Sequence, residues 1–217
     1  MTMYQHEYDE REVARRSMRP ISAPYPTEDK YLWHRFEAYL RERGLNHALA
    51  KANRWYPSTT AGDNLPRIVI PCTNSMGVGF WQARAMVVTE KRYQSPPVAR
   101  GDSVVVVWPE PPCGAYVDPT AMVVVEGPMC ALAAAGEGCV GVAMMGSTPP
   151  PMVLNFISTL ASNLPILVVG DSDALTEAAR VAGGLAIRGR KTKAVMLYGA
   201  KDLAELPKEQ RERYLRT

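Results

Sequence analysis

Glu126, Asp171 and Asp173 are the side chains whose type and spacing could do chemistry together. Each stands just past a short run of apolar, mostly β-branched residues. Met122-Val123-Val124-Val125 delivers Glu126-Gly127-Pro128, and about 45 residues later Ile166-Leu167-Val168-Val169 delivers Gly170-Asp171-Ser172-Asp173. Such runs form parallel strands covered on both faces by helices, and sheets of this kind bind ligands beyond the carboxyl ends of their strands. Three carboxylates meeting there repel one another, so keeping them ionised near neutral pH calls for a cation. With oxygen donors only, the expected ion is Mg²⁺ or Mn²⁺, and not zinc.

Each motif alone has a plain structural explanation. Asp at a strand end commonly forms a turn or caps a helix, and Asp173 could simply cap the helix expected from Ala174. Glu126 could be a solvated strand terminus. The conjunction favours a site: three acids at matching strand ends, in the right strand–helix–strand order, downstream of a basic β region.

The elements that must position these acids are readable in the same stretch. Gly127 permits a sharp turn, Pro128 suits a first helical position, and a helix over 129–135 stops at Gly136. A strand over 140–145 follows, then a helix over 153–162 with Val153, Phe156, Ile157 and Leu160 on one face. Beyond the Asp-x-Asp pair a helix is expected over 174–188, then a strand over 194–198 that runs into Gly199-Ala200-Lys201-Asp202. Right-handed crossovers put all these strand ends on one side, which makes Asp202 the next candidate acid. A charged helix over 207–217 ends the chain.

Upstream, residues 1–26 read as a flexible arm, polar and closed by prolines. Thr27-Glu28-Asp29 is a helix start, Leu32, Phe36 and Leu40 recur at helical spacing, and Gly44 is a stop. A second short helix is expected over 46–54. From Arg67 the pattern turns to strands, over 67–71, 78–88 and 103–108, with a basic run, Glu90-Lys91-Arg92-Tyr93, between the last two. Four prolines between 109 and 119 mark the boundary of two units, an α+β lobe over 27–118 and an α/β domain over 119–217.

Composition bounds the rest. No apolar run reaches the roughly 18 residues of a membrane helix, and residues 1–10 are polar and acidic, unlike a targeting segment. A cytoplasmic chain without a membrane partner is expected. A net charge of +3 does not by itself imply nucleic acid, so the distribution of charge must decide. Cys72, Cys113, Cys130 and Cys139 contain no C-x-x-C pair, which argues against a zinc ribbon and against disulfides. His6, His34 and His47 read as tail or helix surface. Gly184 to Thr192 imitates a phosphate-binding loop, but it has one residue too many and follows a helix, so it reads as a basic connection.

The ordered acids resemble the Toprim domain of bacterial- and phage-type replicative DNA primases. The upstream half is similar to the remainder of a primase core: Arg67 with Pro71, Gly79-Phe80 with Arg84, and Arg92-Tyr93 with Ser95-Pro96. The resemblance implies a Rossmann-like parallel sheet flanked by helices, preceded by a smaller basic α+β lobe. It implies template-directed synthesis of short RNA primers on single-stranded DNA, with ribonucleoside triphosphates as substrates and a replicative helicase as a conceivable partner. Glu126, Asp171 and Asp173 would be catalytic through two Mg²⁺ or Mn²⁺ ions, with Asp202 as a further ligand and no zinc. Arg67, Arg84, Lys91, Arg92 and Tyr93 would hold template or nucleotide; cations on phosphates and an aromatic under a base suit that role, although an edge strand guarded by Lys and Arg would look the same. Two positions depart from the primase text: Cys130 stands where an acid is frequent, and Leu175-Thr176 replace Ala-Gly. Other readings of the same residues are a Toprim metal-dependent nuclease and a non-catalytic primase-like module that binds single strands or a replisome partner.

Overall fold

The computed structural model describes residues 24–75, 80–97, 100–109 and 118–216. The expected arm over 1–26 and the prolines at 111 and 112 therefore fall largely outside the described residues.

Helix α1, Lys30–Glu42, begins two residues later than its sequence suggests. Asp29 is the cap, accepting the Tyr31 N–H at 2.8 Å, while the Thr27 hydroxyl accepts the Asp29 N–H at 3.1 Å. Leu32, Phe36 and Leu40 form its buried stripe, and Gly44, at φ +64°, lets the chain leave it. Helix α2, His47–Ala52, is capped by Asn46, which accepts the Leu49 N–H.

Strands β1 (Tyr56–Ser58), β2 (Arg67–Cys72), β3 (Phe80–Ala85) and β4 (Tyr93–Gln94) form an antiparallel sheet in that order. The two outer strands are too short to show an alternation in sequence. Strands β5 (Val105–Val107), β6 (Met122–Val125), β7 (Val140–Ala143), β8 (Ile166–Gly170) and β9 (Thr192–Met196) form a second sheet, ordered β5-β7-β6-β8-β9. Its last four strands are mutually parallel, while β5 lies antiparallel on β7. This corrects the unit boundary expected over 109–119. The strand assigned to the basic lobe belongs to the downstream sheet, so the two sheets part between Gln94 and Val105.

Helices α3 (Pro128–Gly136), α4 (Pro151–Thr159), α5 (Leu175–Ile187) and α6 (Lys208–Leu215) complete the fold. Alternate residues of the central strands go to opposite faces. Val123, Val125, Leu167 and Val169 pack with α3, α1 and the side chains of β2, whereas Met122, Val124, Ile166 and Val168 pack with α4 and α5. The first of these clusters includes Phe36, Leu40, Ile68 and Ile70 together with Leu132, so the antiparallel lobe and the parallel sheet share one core. Among the described residues no helix is long and apolar enough to cross a membrane.

Candidate active site

The strand order puts the site at the β6–β8 junction. The chain runs from β6 outward to β7, then crosses back over β6 to reach β8, and ligands bind at the carboxyl end of such a reversal. Val124 pairs with Val168; continuing that register, Glu126 leaves β6 level with Gly170, one residue before Asp171. Neighbouring strands are about 4.8 Å apart, so the two carboxylates start from adjacent backbone positions.

Asp171 is the electrostatic centre. Its carboxyl is pushed up from the ordinary 3.8 to about 6, by burial first and then by the charges of Asp202, Glu126 and Asp173; Lys201 pulls the other way. The other three acids singled out in the sequence thus all act on Asp171. Among the described residues none of the four forms an ion pair. A cavity of about 20 Å³, room for roughly one water, is lined by Glu126, Ser147, Asp171 and Glu177 over a floor of Val168, Ala178 and Val181. Glu177, in the first turn of α5, had no motif to reveal it.

The acids differ in what else they do. Asp173 is exposed and does not cap α5, whose N-cap is Ala174 with no side-chain bond. Asp202 also serves the fold, because its Oδ1 accepts the N–H groups of Ala204 at 2.9 Å and Glu205 at 3.1 Å and so caps the 3₁₀ turn Leu203–Glu205. Its carboxylate also accepts a hydrogen bond from the Cys130 thiol. As the side chains lie, no group of three or more His, Cys, Asp or Glu among the described residues stands in a metal-holding arrangement. The donor chemistry nonetheless fits a hard divalent ion, because the repulsion that the neighbouring carboxylates exert on Asp171 is relieved by a cation bound among them.

Both departures from the primase text have a local account. Cys130 is buried in α3, and its thiol is pushed up by burial and by the charges of Asp202 and Asp171, so a neutral group borders the acids there. The close approach of strand and helix that a glycine would allow at 176 is made at Gly170, where an added Cβ would lie 2.8 Å from the Ala174 carbonyl. Thr176 sits exposed.

The basic lobe corrects two of the five expected nucleic-acid contacts. Arg67 has no exposed surface. Its guanidinium grips Asp63 through Nε at 2.9 Å and Nη2 at 2.7 Å and donates to the carbonyls of Ala83 at 3.1 Å and Lys91 at 2.9 Å. Such a group cannot reach a phosphate; it braces the backbone that presents its neighbours. Arg84 is also buried, donating to the Tyr39 hydroxyl at 3.0 Å with its guanidinium 4.8 Å from the Tyr93 ring centre. Lys91 and Arg92 are exposed, as a phosphate contact requires. Tyr93 is half-buried at the junction: burial pushes its hydroxyl up against the pull of Arg84, and Cys130 adds to the rise. Cys130 is thus near enough to act on Tyr93 and to feel Asp202 and Asp171.

Arg100 escaped sequence reasoning, being a lone arginine beside Gly101. Its Nη1 donates to the Met145 carbonyl, and the Met145 N–H donates to the Glu126 carbonyl at 2.8 Å. This places a half-buried cation two bonded steps from the first acid.

Replacing Arg67 by Met is expected to lower stability by about 3 kcal/mol, near the low end for breaking a buried pair because Asp63 keeps some solvent. Urea unfolding checks it. A midpoint equal to wild type would remove the brace.

No family model matches the chain, and no curated protein matches it in sequence. Solved structures do. A DnaG primase catalytic domain bound to single-stranded DNA superposes with a TM-score of 0.61 at 16% identity, covering 94% of this chain and 76% of that one. The RNA polymerase domain of Mycobacterium tuberculosis primase DnaG gives 0.60 at 16%, covering 99% and 82%. The Aquifex aeolicus primase, with its zinc-binding and RNA polymerase domains, gives 0.61 at 20%, covering 87% and 55%. The chain has the fold of a DnaG-type primase catalytic core.

Proposed function

We propose that this chain acts as a DNA primase core, joining ribonucleotides on a single-stranded DNA template into short RNA primers. The observation that supports the reading is that Glu126 and Asp171 line one cavity at the carboxyl end of the β6–β8 reversal, where Asp202 and Asp173 add their charge to Asp171. A structural neighbour that binds single-stranded DNA supports the choice of template.

In this mechanism the 3′ hydroxyl of the growing primer attacks the α-phosphate of the next triphosphate and pyrophosphate leaves. No protein nucleophile is needed, because phosphoryl transfer depends on positioning and charge stabilisation. Glu126, Asp171 and Asp173 would hold the Mg²⁺ or Mn²⁺ ions, with Asp202 in support. Bound there, the metal would lower the hydroxyl's pKa and neutralise the transferring phosphate. Lys201, the cation facing Asp171, is suited to the triphosphate, and Lys91 and Arg92 to the template backbone. Arg67 and Arg84 act behind them as positioning residues.

The test incubates the chain with single-stranded template, the four ribonucleotides and Mg²⁺ or Mn²⁺, and looks for short RNA. Strand cleavage without nucleotides would point to the nuclease, and metal-independent binding without product to the non-catalytic module. Template binding provides a second measurement. The double variant Lys91→Ala, Arg92→Ala should flatten the slope of log affinity against log salt by about 1.4, the release expected for two contacts on a single strand. An unchanged slope would remove both residues from the path.

A further inference from the structure

We infer that Tyr198 is the platform on which the base of the bound nucleotide stacks, an assignment that rests on the reading of this sheet end as a nucleotide site.

Tyr198 follows β9 at the carboxyl end of the parallel sheet and is 67% exposed. Single exposed aromatics are ordinary on a surface, and Tyr25 and Tyr31 are two more. Tyr198 differs in its place and in how its backbone is held. Its N–H donates to the Tyr214 hydroxyl at 2.9 Å, and that hydroxyl donates back to the Tyr198 carbonyl at 3.4 Å. Tyr214 belongs to α6, which is anchored in turn by the buried Arg211–Glu137 pair. The loop is also tied to the Asp-x-Asp turn, where the Ser172 N–H donates to the Lys201 carbonyl at 3.0 Å.

Within five residues, 198–202, this fixed loop carries an aromatic face, an exposed ammonium whose charge acts on Asp171, and a carboxylate in the acid cluster. Those are complements to the three parts of a nucleoside triphosphate: base, phosphates and bound cation. Stacking needs a ring whose face is open to solvent and whose backbone does not have to be ordered on binding, because loop ordering subtracts from affinity. Tyr198 meets both conditions. The contact is tolerant of base identity, as a template-directed site requires, since every base has a π-face.

Calorimetry with the full chain tests it, using ATP and inorganic tripolyphosphate, each with MgCl₂, as probes. Tyr198→Ala should weaken ATP roughly 5- to 100-fold and leave tripolyphosphate unchanged, whereas Tyr198→Phe and Tyr198→Trp should bind ATP like wild type. The thermal midpoint of the alanine variant should not move, because its bonds to Tyr214 are made by the backbone. Equal ATP affinity in wild type and Y198A, an equal loss for tripolyphosphate, or a wild type that binds neither probe would overturn the assignment. Binding is read apart from synthesis, so the two readings fail separately. Tyr198-dependent ATP binding without primers removes polymerisation alone; primers made with Y198A affinity unchanged remove stacking alone.

Discussion

Asp171→Asn is expected to abolish primer synthesis, at least about a thousandfold, while making the metal-free protein more stable. The loss follows because Asp171 is the acid on which the other three act, and removing one pre-organised electrostatic partner of a phosphoryl transfer costs about 4 kcal/mol. The gain follows from the same repulsion. Asp171 has a folded pKa of about 6 against an ordinary 3.8, so the folded chain binds its proton more tightly than the unfolded one. For a raised acid the stabilising contribution is complete below the unfolded value and is lost as pH rises through the folded value. Wild-type stability should therefore fall between about pH 4 and pH 6 and level off above. The substituted amide carries no charge, so that part of the slope should vanish, with the variant the more stable by up to about 3 kcal/mol at pH 7 before solvent screening reduces it. Urea midpoints from pH 4 to 8 beside a primer assay decide the matter. A variant that still makes primer, or one less stable than wild type at pH 7, would contradict the assigned centre.

Much of this centre was legible in the chain because local signals agreed with the global arrangement. A β-branched run, an acid, a glycine and a helix-starting proline define β6, Glu126 and α3 without help from elsewhere, and β8 with its Asp-x-Asp is nearly as explicit. The burial of Arg67 and Arg84 was not legible. An arginine in a strand reads as surface, and what draws Arg67 inside is a carboxylate four residues earlier plus carbonyls 16 and 24 residues later, which meet it only after the sheet forms. The capping by Asp202 was hidden for another reason: an acid before a short turn looks the same whether it caps or ligates. Sheet membership of β5 was hidden because Pro109 to Pro119 reads as a boundary, while the pairing of Val105 with Ala143 is non-local. Buried arginines thus serve the fold in both units, Arg67 and Arg84 in one and Arg211 in the other, while Glu126 and Asp173 stay exposed and make no ion pair among the described residues.

Gly141→Ala should be among the most damaging single-methyl additions available to this fold. Gly141 lies in the middle of β7, where glycine is otherwise disfavoured, and glycine within a strand commonly marks a close backbone approach. The approach here is to α3: an added Cβ would lie 2.0 Å from the Ala131 carbonyl oxygen and 2.8 Å from its Cα. The neighbour is helix backbone, so no side chain can rotate away. Either α3 lifts from the sheet or β7 moves, and both elements are packed in fully buried clusters with Leu132 and Val142. Overpacking of a core usually costs about 1–3 kcal/mol, and an obstruction against main chain belongs at or above the upper end. The consequence reaches the acids, because α3 starts at Pro128, two residues after Glu126, and the Met144 and Met145 N–H groups just past β7 donate to the carbonyls of Val125 and Glu126. A shift of α3 against β7 would turn Glu126 away from Asp171. Gly141→Ala is therefore expected to lose about 3 kcal/mol or more in urea unfolding and, at a temperature where it remains folded, to make primer at least tenfold more slowly. Gly183→Ala is the control: it adds the same methyl to α5 with nothing within 4 Å, and as a helix-interior replacement of glycine it should be neutral or stabilising. If G141A unfolds at the same urea concentration as G183A, the close contact of α3 with β7 is not what sets the position of Glu126.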